Sequence, residues 1–211
     1  MLKNFLNKIF RVFVRFGYSK KFYRNEQIII SFYKKFVSKD YTSSLDLGSG
    51  PNPKNPFNSK EIFGIDFREN PDNNVFFSDL SKGKLPFENE KFDYVTAYDL
   101  LEHIPRFSDK DSSFPLILLF NEIYRVLKKD GIFFSMQPVF PSPSAFQDPT
   151  HVNIMTEETI EYYFCNKAWA RIYGFNGTFE LLNDGWIKDK YFCFIKKIGN
   201  EEKLDLNFIQ E

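Results

Sequence analysis

Between Ser43 and Asn70 an apolar strand, Leu45 to Leu47, ends in the turn Gly48-Ser49-Gly50, and a second short strand, Ile62 to Ile65, ends in Asp66. An open parallel sheet holds a nucleoside with these parts in this order. The glycines let backbone pass close to the ligand, and an acid at the end of the next strand accepts hydrogen bonds from ribose hydroxyls. A cofactor enzyme is the leading reading of such a chain.

The segments that follow supply the rest of a sheet. Val75 to Phe77 predicts a short strand ending in Ser78-Asp79-Leu80, and Phe92 to Ala97 a fourth strand running into Leu100-Leu101. Apolar residues at helical spacing predict a helix over 115–129, closed by Lys128, Lys129 and the stop signal Asp130-Gly131. Ile132 to Met136 is the next strand, and a loop rich in Pro and Ser spans 137–153. Thr156, Glu157, Glu158 and Thr159 then cap a helix expected to reach about Arg171. Phe179 to Leu182 and Tyr191 to Lys196 read as an antiparallel pair at a sheet edge. Strands alternating with helices indicate an α/β chain: a three-layer Rossmann-like sheet, mostly parallel, with an antiparallel C-terminal edge.

Three segments follow. Residues 1–40 are a helical extension packed on the domain, 41–199 the domain itself, and 200–211 a loosely held tail. At 211 residues the domain can bury a full core without a disulfide, and Cys165 and Cys193 are expected to be unpaired. With only two histidines besides, the ligands for a metal would be scattered, and no metal is expected.

Formal charge is zero, which offers no signature of nucleic-acid binding. Residues 1–25 nevertheless carry seven Lys and Arg and no acid. Leu2, Phe5, Leu6, Ile9, Phe10 and Phe13 recur at helical spacing among those charges. Charges interrupt every apolar run, which excludes a secretory signal or spanning helix and points to a cytoplasmic protein. Such a helix packs on its domain, the favoured expectation, or lies peripherally on a membrane or other anionic surface.

The glycine turn is not a dinucleotide fingerprint. Pro53 stands where the third small residue belongs, and Pro51, Pro53 and Pro56 remove backbone donors that a pyrophosphate needs. Acids instead mark three successive strands. Asp46 sits under the turn, where it would meet an amino group or orient the loop. Asp66 stands at ribose height. Asp79 can accept from an adenine amine while Leu80 lies against the ring.

With these residues the chain resembles the class I S-adenosylmethionine-dependent methyltransferases, of the type 11-like group, over residues 43–155. Leu45-Asp46-Leu47-Gly48-Ser49-Gly50 resembles their glycine motif and Gly64-Ile65-Asp66 their ribose-binding strand end. Leu85-Pro86-Phe87, Phe92-Asp93-Tyr94-Val95 and Leu101-Glu102-His103-Ile104 resemble the fourth-strand region. Arg125 to Gly131 resembles the segment before the fifth strand, with Lys129-Asp130 replacing Pro-Gly. The resemblance implies S-adenosylmethionine as cofactor, Gly48 and Gly50 near its methionine part, and residues 97–100, Ala97 and Asp99 among them, along its other side. One departure is evident. Only about a dozen residues, several of them proline, separate Gly50 from the second strand, so a loop or single turn is expected instead of the usual full helix.

Direct methyl transfer needs alignment and exclusion of water, and a hydroxyl acceptor also needs a base. His103, after the fourth strand, and His151, in Asp148-Pro149-Thr150-His151, are the candidates. Each also has a structural alternative: His103 holding Glu102 or a carbonyl, and His151 bracing its loop through Asp148 or Thr150. Similar Asp-Pro-Thr-His segments occur in methyltransferases resembling those of surface-polysaccharide pathways. The loop 137–153 carries hydroxyl and amide groups and no basic cluster, which favours a sugar or other small-molecule acceptor over nucleic acid, with Phe140 and Phe146 able to stack on a sugar or close the pocket; a quinone, lipid or small acid would fit almost as well. A competing reading makes the chain a non-catalytic binding or scaffold module on the same fold.

Overall fold

A computed structural model describes residues 22–23, 27–36, 42–165 and 167–199. Its elements are β1 (Phe22–Tyr23), α1 (Gln27–Phe36), β2 (Ser43–Leu47), β3 (Glu61–Asp66), β4 (Val75–Phe77), β5 (Phe92–Tyr98) and α2 (Pro115–Val126). They continue with β6 (Leu127–Gln137), α3 (Ser144–Gln147), α4 (Glu158–Phe164), β7 (Phe179–Ile187) and β8 (Lys190–Lys197). The basic segment 1–21 and the tail beyond 199 lie outside the described residues.

The strands form one sheet in the order β1-β7-β8-β6-β5-β2-β3-β4. Strands β2 to β6 pair in parallel, and β8 runs antiparallel to both β6 and β7. The C-terminal hairpin is therefore flanked on both sides: β8 lies against β6, and β7 is covered by a short parallel pairing with β1. The inner strand β2 is buried throughout, as a parallel strand covered on both faces must be.

Helices α2 and α4 cover one face, where Phe120 stacks on Phe164 with ring centroids 3.6 Å apart. On the opposite face α1 presents Ile29 and Tyr33, both buried, with Phe32 and Phe36 beside them, to Phe134, Phe192 and Phe194. The positions 29, 32, 33 and 36 recur at helical spacing, so one stripe of α1 meets the sheet. The Tyr94 hydroxyl donates to the carbonyl of Phe36 (2.7 Å), tying the end of α1 to β5.

No helix follows the glycine turn. Residues 51–60 form turns and bends, and their one large apolar side chain, Phe57, is wholly buried on the α1 face. Its ring stacks on Tyr94 (4.1 Å) and meets Tyr33 edge-on (4.9 Å). A single ring from a loop, together with α1, thus covers the part of the sheet that a crossover helix would otherwise cover.

Two helix ends differ from expectation. Helix α2 stops at Val126, not at 129, because Leu127 is fully buried and already pairs with Phe92 as the start of β6. Asp130 takes the left-handed φ of +62° within that strand. The helix expected to reach Arg171 ends at Phe164, and a separate 3-10 turn, Trp169–Tyr173, begins after Ala168 at φ +47°. Cys165 and Cys193 are buried free thiols. Among the described residues no helix is long and apolar enough to cross a membrane.

The family-like segments before β5 and at the end of α2 hold one another. Leu85 N–H donates to Glu122 Oε2 (2.8 Å), while Arg125 pairs with Glu122 (2.6 Å) and donates to the carbonyls of Phe87 (2.7 Å) and Leu85 (3.1 Å).

Candidate functional site

The sheet reverses direction of growth at β2: the chain adds β3 and β4 on one side and then returns to place β5 on the other. A crevice opens outside the carboxyl ends of strands at such a switch point. Register brings the expected residues to that edge together. Leu47 pairs with Ala97 on one side and Ile65 on the other, and Asp66 pairs with Phe77. Gly48, Asp66, Ser78-Asp79 and Asp99 therefore stand at the ends of adjacent strands.

The turn is built for close approach. Gly48 and Gly50 take φ of +65° and +62°, and a Cβ on Gly50 would meet nothing within 4 Å, which leaves open space over the backbone. Gly64 serves the same loop from below: a Cβ there would lie 2.4 Å from Ser49 Oγ and 2.7 Å from Pro53 Cγ. Ser49 is itself buried; its N–H donates to Ile65 O (3.0 Å) and its hydroxyl to Gly50 O (2.9 Å).

The acids divide by role. Asp66 Oδ2 accepts from Gly50 N–H (3.0 Å) and Oδ1 from Arg68 N–H (3.1 Å), so the turn and the expected ribose acid are set by one carboxylate. Each oxygen keeps a lone pair for a ligand. Asp79 Oδ1 accepts from the N–H (3.0 Å) and hydroxyl (2.6 Å) of Ser81, capping the turn Leu80–Lys82 and seating Leu80 in the core. Asp99 has a left-handed φ of +49° and pairs with Lys190 (2.6 Å).

Asp46 is buried beside the loop that follows the glycine turn. It is 1 % exposed, Oδ1 accepts from Thr96 Oγ1 (2.6 Å) and Oδ2 from Lys54 N–H (2.9 Å). The bond to Lys54 N–H fits the loop-orienting arrangement of the two expected, and burial pushes its carboxyl above the usual range. Ala97 is likewise buried, so only its backbone is at hand.

Past the end of β5, the chain's two histidines come together. Their ring centroids are 4.8 Å apart with planes at 79°. His151 Nδ1 lies 3.2 Å from the carbonyl of Ala145, and its Nε2 lies 4.0 Å from both Glu102 Oε1 and Asp148 Oδ2. His103 Nδ1 lies 3.2 Å from Thr150 O and 3.1 Å from Thr150 Oγ1. Asp148 in turn accepts from the N–H (2.8 Å) and hydroxyl (2.7 Å) of Thr150. The expectation of scattered ligands is thus corrected by the fold, which gathers Glu102 and both histidines within 4.8 Å.

Sequence reasoning missed Glu102. It sits on the turn Leu101–His103, 1 % exposed, with neither carboxylate oxygen hydrogen-bonded, and burial pushes its carboxyl up to about 7. Its position in Leu-Glu-His was visible, but nothing local shows that the acid points inward. Phe140 and Phe146, 37 % and 56 % exposed, flank the same loop.

Residues 45–135 match the family described as a methyltransferase domain. No curated protein matches the chain in sequence. Among solved structures, a SAM-dependent methyltransferase from Aquifex aeolicus superposes with a TM-score of 0.54 at 15% identity, over 80% of this chain and 88% of that one. One from Archaeoglobus fulgidus gives 0.52 at 16%, over 82% and 95%. The cyclase SpnF gives 0.55 at 17%, over 86% of each chain. At these identities the likeness is one of fold. Residues 45–135 thus match a methyltransferase domain, and the sheet with its switch-point crevice and the turn clasped by Asp66 has the fold of the SAM-dependent methyltransferases it superposes on.

Proposed function

We propose that this chain transfers the cofactor's methyl group to a hydroxyl of a small-molecule acceptor, a sugar hydroxyl being the favoured class. The observation that carries the reading is the convergence of His103 and His151 beside buried Glu102, just past the carboxyl end of β5, a face we take as the acceptor side. When bound, the cofactor supplies a methyl carried on a sulfonium.

In this reading Gly48, Ser49, Gly50, Asp66, Asp79, Leu80, Ala97 and Asp99 hold the cofactor, and Asp46 keeps the loop in place. His151 acts on the proton of the acceptor hydroxyl, with His103 beside it. Ala145 O orients the His151 ring by accepting from Nδ1–H, which leaves Nε2 as the reactive nitrogen. Phe57 is buried between Tyr94 and Tyr33 on the α1 face, so the shortened loop packs into the core and leaves the space over Gly50 open. That favours a cofactor-holding enzyme over a scaffold.

The test is a screen of acceptors with labelled S-adenosylmethionine, beginning with sugars and sugar nucleotides. Label on a sugar is the expected result. Label only on a non-sugar metabolite would remove the sugar reading and leave methyl transfer standing.

A further inference from the structure

A buried carboxylate without a hydrogen bond is costly, because it has lost water and gained nothing in exchange. Glu102 is in that position with both oxygens. Glu102 Oε1 lies 4.0 Å from His151 Nε2, too far for a hydrogen bond. A group that satisfies both sides at once has to fit between them.

We propose that Glu102, His103 and His151 form a binding site for a divalent transition-metal ion of the zinc type. One ligand atom from each lies within 4.8 Å of the others. Two imidazoles and a carboxylate suit zinc, iron(II), cobalt or manganese, whereas magnesium and calcium favour all-oxygen sets. The outer contacts are those metal-bound histidines use: His151 Nδ1 reaches the Ala145 carbonyl, and His103 Nδ1 reaches the Thr150 carbonyl, so each ring keeps Nε2 for the ion. Asp148 fixes Thr150 and sets a fourth oxygen, Oδ2, 4.0 Å from His151 Nε2.

Bonds of about 2.0–2.2 Å bring tetrahedral ligands to roughly 3.5 Å from one another, so the cluster closes by about 1 Å on binding. Three protein ligands leave a position open for an exchangeable oxygen, which is how catalytic rather than structural sites are arranged. The ion's role rests on the reading of this face as the acceptor side: with Nε2 on the ion His151 could not also take the proton, and the ion would instead lower the pKa of an acceptor hydroxyl at the open position, the proton leaving to water. Binding itself does not depend on that reading.

The full chain, freed of metal with a chelator, is titrated with Co2+ while the visible absorption of the ion is followed, and with Zn2+ by calorimetry. The expected result is about one ion per chain, a d–d band of a four- or five-coordinate site, and a higher melting temperature with Zn2+. Glu102→Gln and His151→Ala should each weaken binding at least about tenfold and abolish the melting shift. Circular dichroism of each variant checks that it is folded, and Glu102→Gln keeps the side chain's shape. Absence of the band and of heat in the wild-type chain overturns the proposal, as does undiminished binding in both variants. Calorimetry with S-adenosylmethionine on the metal-free chain separates the two readings: cofactor binding with no metal binding leaves the methyltransferase reading intact.

Discussion

The ring of Phe57 lies parallel to that of Tyr94, with centroids 4.1 Å apart and planes within 4°. Phe57 belongs to the loop that descends from the glycine turn, and Tyr94 to the middle of β5, so the stack joins the cofactor loop to the strand on the far side of the switch point. Tyr33 of α1 closes the same cluster edge-on. Coverage of this face is thereby shared between a loop residue and a helix that precedes every strand of the sheet but β1.

Phe57→Ala removes a wholly buried ring from between Tyr94 and Tyr33. The expected loss is about 3–5 kcal/mol, or roughly 10 °C in melting temperature for a chain of this size. Thermal unfolding followed by circular dichroism measures it. A shift of only a degree or two would mean that α1 alone holds the face.

Asp66→Ala deletes the acceptor of Gly50 N–H as well as the proposed ribose contact. Affinity for S-adenosylmethionine and for its demethylated product should fall roughly 10- to 100-fold, the size expected for hydrogen bonds to a charged group. Calorimetry on the folded variant reads this directly. Binding of NAD by the wild-type chain, with neither of the other two ligands bound, would contradict the assignment of the crevice.

His151→Ala should lower turnover by about 10²-fold or more with the acceptor identified by the screen, while cofactor affinity changes little. His103→Ala is the parallel measurement. Undiminished turnover in both variants would take the histidine cluster off the reaction path.

Removal of residues 1–25 deletes the pairing of Phe22–Tyr23 with Trp186 and Ile187. It also takes the Tyr23 ring from Phe32 (5.9 Å) and Phe192 (5.6 Å). Melting should drop by several degrees on those losses, on the order of 1–2 kcal/mol. Unchanged melting, with loss of a salt-sensitive association with anionic vesicles, would instead assign the basic segment to a surface.

Local chemistry decided what was legible in the chain. A buried parallel strand needs a short apolar run, a turn that must pass near a ligand needs glycine, and a strand-end acid needs no partner far away. Leu45 to Asp66 therefore reads correctly as strand, turn, strand and acid, and the absence of a helix after Gly50 follows from its prolines. Other features depend on which surfaces meet. Leu127 looks like the end of a helix until Phe92 pairs with it, and Asp46 looks like a ligand contact until Thr96 and Lys54 close on it. Phe57 reads as one ring among 27 phenylalanines, yet its stack on Tyr94 is set by two segments far apart in the chain. The same holds for the acceptor side. His103 and His151 become neighbours only because the loop after β6 folds back over the end of β5, where Asn153 N–H donates to the Glu102 carbonyl (2.9 Å). Burial of the Glu102 carboxylate beside them is a product of that packing, which no spacing of residues along the chain encodes.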